Sequence, residues 1–214
     1  MIFSSLSAGQ IAFLIIVPIV VIAIIALAIY IPLHNKKVKS DYRYFYYKRI
    51  YKVAMDNDYY LINDFLFKID KSHVGKIDHI LFADKYIYLI SDCYYEGNID
   101  GKERDTSFIM ITQDGKKTYV NNPLLDNRKL IDRLCLITGL DQSLMIGIIV
   151  INDDCHCGVE TTAKNAYLIQ SRRFKALIKA IESRDIANIN QEELTSAVKA
   201  IDKLNRKKKK NEQK

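Results

Sequence analysis

Several residues of types that can bind a metal ion lie close together in one short stretch of this sequence. Cys155, His156 and Cys157 follow Asp153 and Asp154, and all of these residue types can ligate zinc. A structural zinc site needs four ligands, usually as two separated pairs, and the sequence holds no second Cys/His pair. The stretch is therefore interpreted as a polar loop that follows a buried strand. The four cysteines are too few and too irregularly spaced for a disulfide framework, which indicates a reducing compartment.

The elements that would position any site follow an apolar N-terminus. Residues 11–31 read IAFLIIVPIVVIAIIALAIYI and as a helix would span roughly 31 Å, the thickness of the hydrocarbon core of a bilayer. Residues 1–33 contain no charged side chain. A cleaved signal peptide is the alternative, but it would need a basic segment before the apolar one, and residues 1–10 contain no lysine or arginine. We expect a single transmembrane helix over residues 11–33.

Charge asymmetry predicts how that helix is oriented. Basic residues follow the span and none precedes it, so the positive-inside rule places the N-terminus outside and the domain in the cytoplasm, at the cell membrane. The basic residues expected at anionic headgroups are Lys36, Lys37, Lys39, Arg43, Lys48 and Arg49. Tyrosines and a phenylalanine lie among the last three of these, and the stretch is alternatively the first helix of the domain with its aromatic side chains packed inward.

The net charge of +7 arises at two places outside the domain body. Lysines and arginines are concentrated in residues 34–52 and in residues 206–214, so the remaining body carries a small negative charge. A domain that binds nucleic acid usually presents a basic face. Nucleic acid is therefore a possible partner that the composition does not favour.

The order of elements predicts a mixed α/β fold around a central sheet. A helix is expected over 38–56, followed by strands in 59–69, 76–83 and 86–93. The last of these is almost continuously apolar, so it should be central and covered on both faces. A hairpin over 107–120 turns at Gln113–Gly115, and Asn122-Pro123 then ends the sheet. A helix is expected over 124–140, with Gly139 as a terminator near its end. Strands at 144–151 and 166–169 and helices at 172–183 and 191–204 complete the chain.

Several short motifs in this order resemble the nuclease-related domain (NERD) family. They are Leu61-Ile62-Asn63-Asp64, Lys76-Ile77-Asp78-His79-Ile80, the run Tyr86–Gly97, and Asn122-Pro123-Leu124. The resemblance covers roughly residues 40–155. It implies a restriction-endonuclease-like fold, in which a helix glutamate, a strand aspartate and a Glu-x-Lys on the next strand surround a divalent metal such as Mg²⁺.

The chain departs from that pattern at most of the catalytic positions. Asp78 stands at the aspartate position, but Ser91 and Cys93 occupy the Glu-x-Lys positions, and the helix glutamate would fall near Tyr44 or Phe45. Hydrolysis of a phosphodiester needs a dication held by carboxylates and a positive group that offsets developing charge. Strand alternation places Ser91 and Cys93 on the face that the motif would use, with Asp92 on the opposite face.

The sequence thus predicts a membrane-anchored, catalytically inactive relative of these nucleases, with no bound metal or other cofactor, acting as a binding or scaffolding module for an unidentified protein partner and the lipid bilayer. The alternative is a membrane-tethered, Mg²⁺-dependent nuclease with relocated ligands. The expected segments are an extracytoplasmic N-terminus (1–10), the transmembrane helix (11–33), a basic, aromatic juxtamembrane helix (34–56), the NERD-like domain (57–185), a C-terminal helix (186–205) and a polybasic tail (206–214).

Overall fold

The computed structural model describes residues 8–69 and 73–212, and for residues 8–12, 34, 35, 38 and 206–212 it describes the backbone alone. Most of the expected N-terminal segment 1–10 and the end of the polybasic tail lie outside the described residues. The chain divides after Tyr42 into two compact units, residues 1–42 and 43–214.

The first helix, α1, extends over Ala8–Asp56 and is interrupted at Asp41, which has non-helical backbone angles (φ −116°, ψ 23°). Its segment Phe13–Leu33 has a mean hydropathy of 3.3 and none of it is buried within the protein. By length and composition this is one helix able to cross a membrane. The part of α1 in the second unit is amphipathic, because Tyr46, Ile50 and Val53 recur at helical spacing and are buried.

A five-stranded sheet forms the centre of the second unit, in the order β1-β2-β3-β7-β8. β2 pairs antiparallel with β1 and with β3, whereas β7 pairs parallel with β3 and with β8. The prediction that the apolar run 86–93 is the central strand is confirmed, since β3 is the third of five. The strands are β1 Tyr60–Lys68, β2 Val74–Phe82, β3 Ile87–Asp92, β7 Met145–Ile151 and β8 Ala166–Gln170.

A second, three-stranded antiparallel sheet lies between β3 and the next helix in the chain, in the order β4-β5-β6. The hairpin predicted over 107–120 forms β5 and β6 of this sheet, whereas β4 was not predicted. β4 has four residues, and its register with β5 pairs Gly97 with Thr112, where a side chain on Gly97 would collide with the backbone of Ile111. The strands are β4 Gly97–Asp100, β5 Ser107–Thr112 and β6 Lys117–Asn121.

Helices cover both faces of the central sheet. α2 and α4 bury Ile131, Leu134 and Ile201 against one face, while the ring of Tyr47 in α1 stacks on His79 of β2. Asn122 caps α2 by accepting a hydrogen bond from the amide of Leu124. The left-handed Gly139 ends the helix, as predicted. α4 continues beyond the expected helix end into the basic tail. The remaining helices are α2 Pro123–Thr138, α3 Phe174–Glu182 and α4 Gln191–Glu212.

Candidate functional site

The motif residues of the sequence border a cavity of about 310 Å³ in the second unit. We call it the carboxylate cavity. It lies between the start of the second part of α1 and strands β1, β2 and β3. Three aspartates, a histidine and an asparagine face two tyrosines and an arginine across it. The lining residues are Arg43, Tyr44, Tyr47, Asn63, Asp64, Asp78, His79 and Asp92.

A left-handed residue inside β1 explains why consecutive residues reach this cavity. Asp64 has a φ of +49°, and the paired register runs from Asn63–His79 directly to Phe65–Ile77. A residue in this conformation breaks the alternation of side chains along a strand. Asn63 and Asp64 therefore both line the cavity, while Phe65 lies in the apolar core.

The carboxylate of Asp78 is occupied on both oxygens. Its Oδ1 is 3.0 Å from the ammonium of Lys76, and its Oδ2 accepts a 3.0 Å hydrogen bond from the backbone amide of Asp92. The same ammonium is 3.0 Å from Oδ1 of Asp64. Partial burial lowers the pKa of Lys76, but hydrogen bonds to the two aspartates outweigh it, so the pKa is raised overall. Lys76 thus stays charged between two carboxylates.

Asp92, His79 and Asn63 form a buried chain of hydrogen bonds. Nε2 of His79 is 3.0 Å from Oδ2 of Asp92, and Nδ1 is 2.7 Å from Oδ1 of Asn63. Burial raises the pKa of Asp92, and its hydrogen bond to His79 only partly opposes this. Both ring nitrogens of His79 face oxygen atoms. The hydrogen bond between Nε2 and Asp92 therefore requires a proton either on Nε2 or on the carboxyl group of Asp92. Oδ1 of Asp92 is buried without a hydrogen-bond partner among the described residues.

The two positions of the altered Glu-x-Lys motif lie elsewhere. Oγ of Ser91 accepts a 2.9 Å hydrogen bond from Nδ2 of Asn127 in α2, and Ser91 does not line the carboxylate cavity. Ser91 and Asp92 lie on opposite faces of the sheet, as predicted. The cavity that holds Asp78 is on the side of Asp92, however, so the expectation that the motif uses the face of Ser91 and Cys93 was wrong. Burial is the main reason why the pKa of Cys93 is raised, to about 12. This thiol is therefore not an activated nucleophile.

A divalent metal does not fit this donor set. Within residues 8–69 and 73–212, no group of three or more His, Cys, Asp and Glu side chains has the geometry to hold a metal ion. Each carboxylate oxygen of Asp78 already has a partner, and Lys76 lies between Asp78 and Asp64. At the expected position of the helix glutamate, Tyr44 lines the cavity with a phenol. Among the described residues, the buried carboxylate oxygen of this cavity that has no hydrogen-bond partner is Oδ1 of Asp92.

The basic residues expected at lipid headgroups do not all lie in the same kind of environment. Lys36, Lys37 and Lys39 are exposed, Arg43 lines the carboxylate cavity, and Lys48 lies 4.6 Å from the ring centre of Tyr44. The guanidinium of Arg49 instead lies 2.6 Å from the carboxylate of Asp153 and also bonds Ser171. Arg49 is thus engaged within the domain, which the sequence pattern had not indicated.

Sequence reasoning placed Asp78 at the site and missed several of its neighbours. His79 and Asn63 belong to the quoted motifs, but alternation alone would have turned His79 away from Asp78. The signal that could have revealed them is the pair Asn63-Asp64 inside a strand pattern, because both residue types tolerate the left-handed conformation. The Cys155–Cys157 stretch follows β7 as a loop, and all four cysteines of the chain are described with free thiols.

The fold and the site define a mixed α/β domain that carries a strand aspartate in a polar cavity. The family model of the nuclease-related domain, NERD, matches residues 43–152, which is about half of the chain, and the chain belongs to this family. No curated protein matches it. The crystal structure of the protein of unknown function AF1548 is similar over 62% of this chain and 54% of that one, with 7% identity and a TM-score of 0.29. The chain spans about half the length of that structure.

Proposed function

We propose that this NERD protein is anchored in the cell membrane by residues 11–33 and that its domain binds partners without metal-dependent catalysis. The observation that carries the proposal is the position of Lys76. Its ammonium occupies the space between the carboxylates of Asp64 and Asp78, at 3.0 Å from each. A dication at Asp78 would have to displace this charge or tolerate it at close range, and both are unfavourable.

The membrane part of the proposal is supported by the apolar segment Phe13–Leu33 and by the exposed lysines that follow it. The positive-inside rule then orients the domain into the cytoplasm. Lys36, Lys37 and Lys39 would lie at anionic headgroups, where each is worth on the order of 1 kcal/mol. A cytoplasmic protein partner fits this arrangement better than nucleic acid, because the body of the domain is slightly acidic and the carboxylate cavity is lined by three aspartates.

The second candidate function is a nuclease with relocated ligands. It is favoured by one observation, that Asp92 lines the same cavity as Asp78 and has a buried oxygen without a partner. In that reading Asp92 would replace the missing glutamate and Lys76 would supply the positive charge of the family's lysine. The two candidates differ in whether a metal binds at Asp78.

A cleavage assay separates the candidates. The full chain in detergent micelles is incubated with labelled single- and double-stranded DNA and RNA, with Mg²⁺ or Mn²⁺ present. The inactive binding module predicts that cleavage does not exceed that of an Asp78→Asn variant. Lys76→Met removes the ammonium that is proposed to exclude a dication from Asp78, so it should raise the affinity of the domain for Mn²⁺. Metal-dependent cleavage that Asp78→Asn or Lys76→Met abolishes would contradict the proposal and support the nuclease.

A further inference from the structure

We infer that a second cavity, between α2 and the ends of β7 and β8, binds a small organic anion whose apolar body has about the size of one ring. This cavity has a volume of about 220 Å³ and shares no lining residue with the carboxylate cavity. We call it the arginine cavity. It goes beyond the proposed function, since neither a metal nor the membrane is involved.

The floor of the arginine cavity is apolar and is kept open by a glycine. Leu124, Ile131 and Ala166 line it together with Gly147 of β7. A Cβ atom on Gly147 would lie 2.4 Å from Oδ1 of Asn127, so any larger residue would fill this end of the space. Binding cavities for drug-sized molecules measure roughly 300–1,000 Å³. The smaller volume here fits a single-ring compound.

Two arginines at the rim provide the charge. Among the described residues, neither Arg104 nor Arg128 makes a hydrogen bond or an ion pair, although both line the cavity. Guanidinium groups match the oxygens of carboxylates and phosphates with paired hydrogen bonds. An anion at the rim would therefore find two donor groups that no side chain occupies.

The one carboxylate at this rim is already used by a loop. The carboxylate of Glu103 accepts hydrogen bonds from the amides of Thr162 and Ala163, at 2.8 and 3.0 Å, and from the Thr162 hydroxyl at 3.1 Å. These bonds, led by the one from the Thr162 amide, lower the pKa of Glu103, and the charge of Arg128 adds to the effect. Glu103 thus holds the loop in place, and the rim keeps a net positive charge.

A buried amide at the floor adds a polar contact for the far end of the ligand. Asn127 is 3% exposed, and its Nδ2 donates to the carbonyl of Leu89 at 3.2 Å and to Oγ of Ser91 at 2.9 Å. These bonds fix the amide so that Oδ1 lies next to Gly147. An acceptor in this position recognises a hydroxyl or N–H group. The ligand class is therefore an oxyanion on a ring that carries a donor opposite to it.

The test is a calorimetric titration of the full chain in detergent micelles, with empty micelles as the blank. The probes are 4-hydroxybenzoate and 4-hydroxyphenyl phosphate, which distinguish a carboxylate from a phosphate ligand, and phenol is the neutral control. We expect saturable binding of at least one anionic probe with a Kd of about 1 mM or lower, and weaker binding of phenol. Arg104→Met and Arg128→Met should each weaken binding about tenfold.

Two further variants make the result specific to the cavity. Arg133→Met removes an exposed arginine of α2 that does not line the cavity, and it should leave the Kd unchanged. Ala163→Phe places a ring in the mouth of the cavity and should abolish binding while the circular dichroism spectrum is retained. The inference is overturned if neither probe gives saturable heat up to 10 mM (roughly ten times the expected Kd) or if phenol binds as tightly as the anions. It is also overturned if the Arg104→Met/Arg128→Met double variant binds with the Kd of wild type. None of these outcomes bears on the cleavage assay.

Discussion

Replacing Asp92 by asparagine should stabilise the domain at neutral pH, although it alters a buried residue. The side chain of Asp92 is 1% exposed, and its burial raises the pKa of the carboxyl group above the ordinary value. The asparagine amide can keep the hydrogen bond with Nε2 of His79 as donor or as acceptor, and it removes the buried charge. The groups that face this carboxyl are His79, Asp78 and Arg43.

The magnitude and sign follow from proton linkage. A carboxyl whose pKa is raised on folding binds more protons in the folded state, so its contribution falls as the pH rises from the unfolded pKa near 4 through the folded pKa. The slope in that window is at most about 1.4 kcal/mol for each pH unit. Each unit of pKa elevation that Asp92→Asn relieves corresponds to roughly 3–6 °C in Tm for a domain of this size.

The assay is a thermal melt of the full chain in detergent at pH values from about 4 to 7. The chain has 14 tyrosines and no tryptophan, so near-ultraviolet tyrosine signals report on the domain. Asp185→Asn is the matched control, because Asp185 is exposed. We expect the Tm difference between Asp92→Asn and wild type to grow with pH, and the control to follow wild type. The reasoning is refuted if Asp92→Asn lowers the Tm by several degrees at pH 7, which would mean that a charged pair with His79 stabilises the fold.

Three other predictions concern the core, a thiol and the membrane. Gly147→Ala should destabilise the domain by about 1–3 kcal/mol, because the new Cβ would meet Oδ1 of Asn127 at 2.4 Å. In a denaturant series, the Gly147→Ala/Asn127→Ala double variant should be less destabilised than the sum of the two single variants, and strict additivity would exclude this contact as the cause. Because burial raises the pKa of Cys93 to about 12, the thiol should stay protonated at pH 8. Mass spectrometry should therefore find it unmodified by iodoacetamide until the domain unfolds, and fast labelling of the folded domain would contradict the burial. A reporter fused after Lys214 should be cytoplasmic, and its accessibility from outside intact cells would reverse the proposed orientation.

Most of the fold could be predicted because apolar periodicity marks its elements directly. The run at residues 86–93 is apolar throughout, and it forms the fully covered central strand β3. Asn122 and Gly139 mark the ends of α2 because their side-chain and backbone chemistry is local. The second sheet could not be predicted in full, since β4 has four residues and its pairing with β5 is a tertiary contact.

The site was less predictable than the fold because it depends on one unusual backbone angle. Strand alternation assumes a regular strand, and the left-handed Asp64 breaks that assumption in β1. The neighbours of Asp78 therefore differ from those that alternation indicates, with Asp92 and His79 replacing Ser91 and Cys93. The ion pair of Arg49 with Asp153 joins residues 104 positions apart, which no local pattern encodes.

Binding of Mn²⁺ to the full chain at neutral pH tests the central claim most directly, because the proposed loss of catalysis rests on the occupation of Asp78 by Lys76. Electron paramagnetic resonance of Mn²⁺ measures the bound fraction without a substrate. The account predicts no saturable binding to wild type beyond that of Asp78→Asn, and stronger binding to Lys76→Met. Stoichiometric binding of Mn²⁺ to wild type that is lost in Asp78→Asn would contradict it.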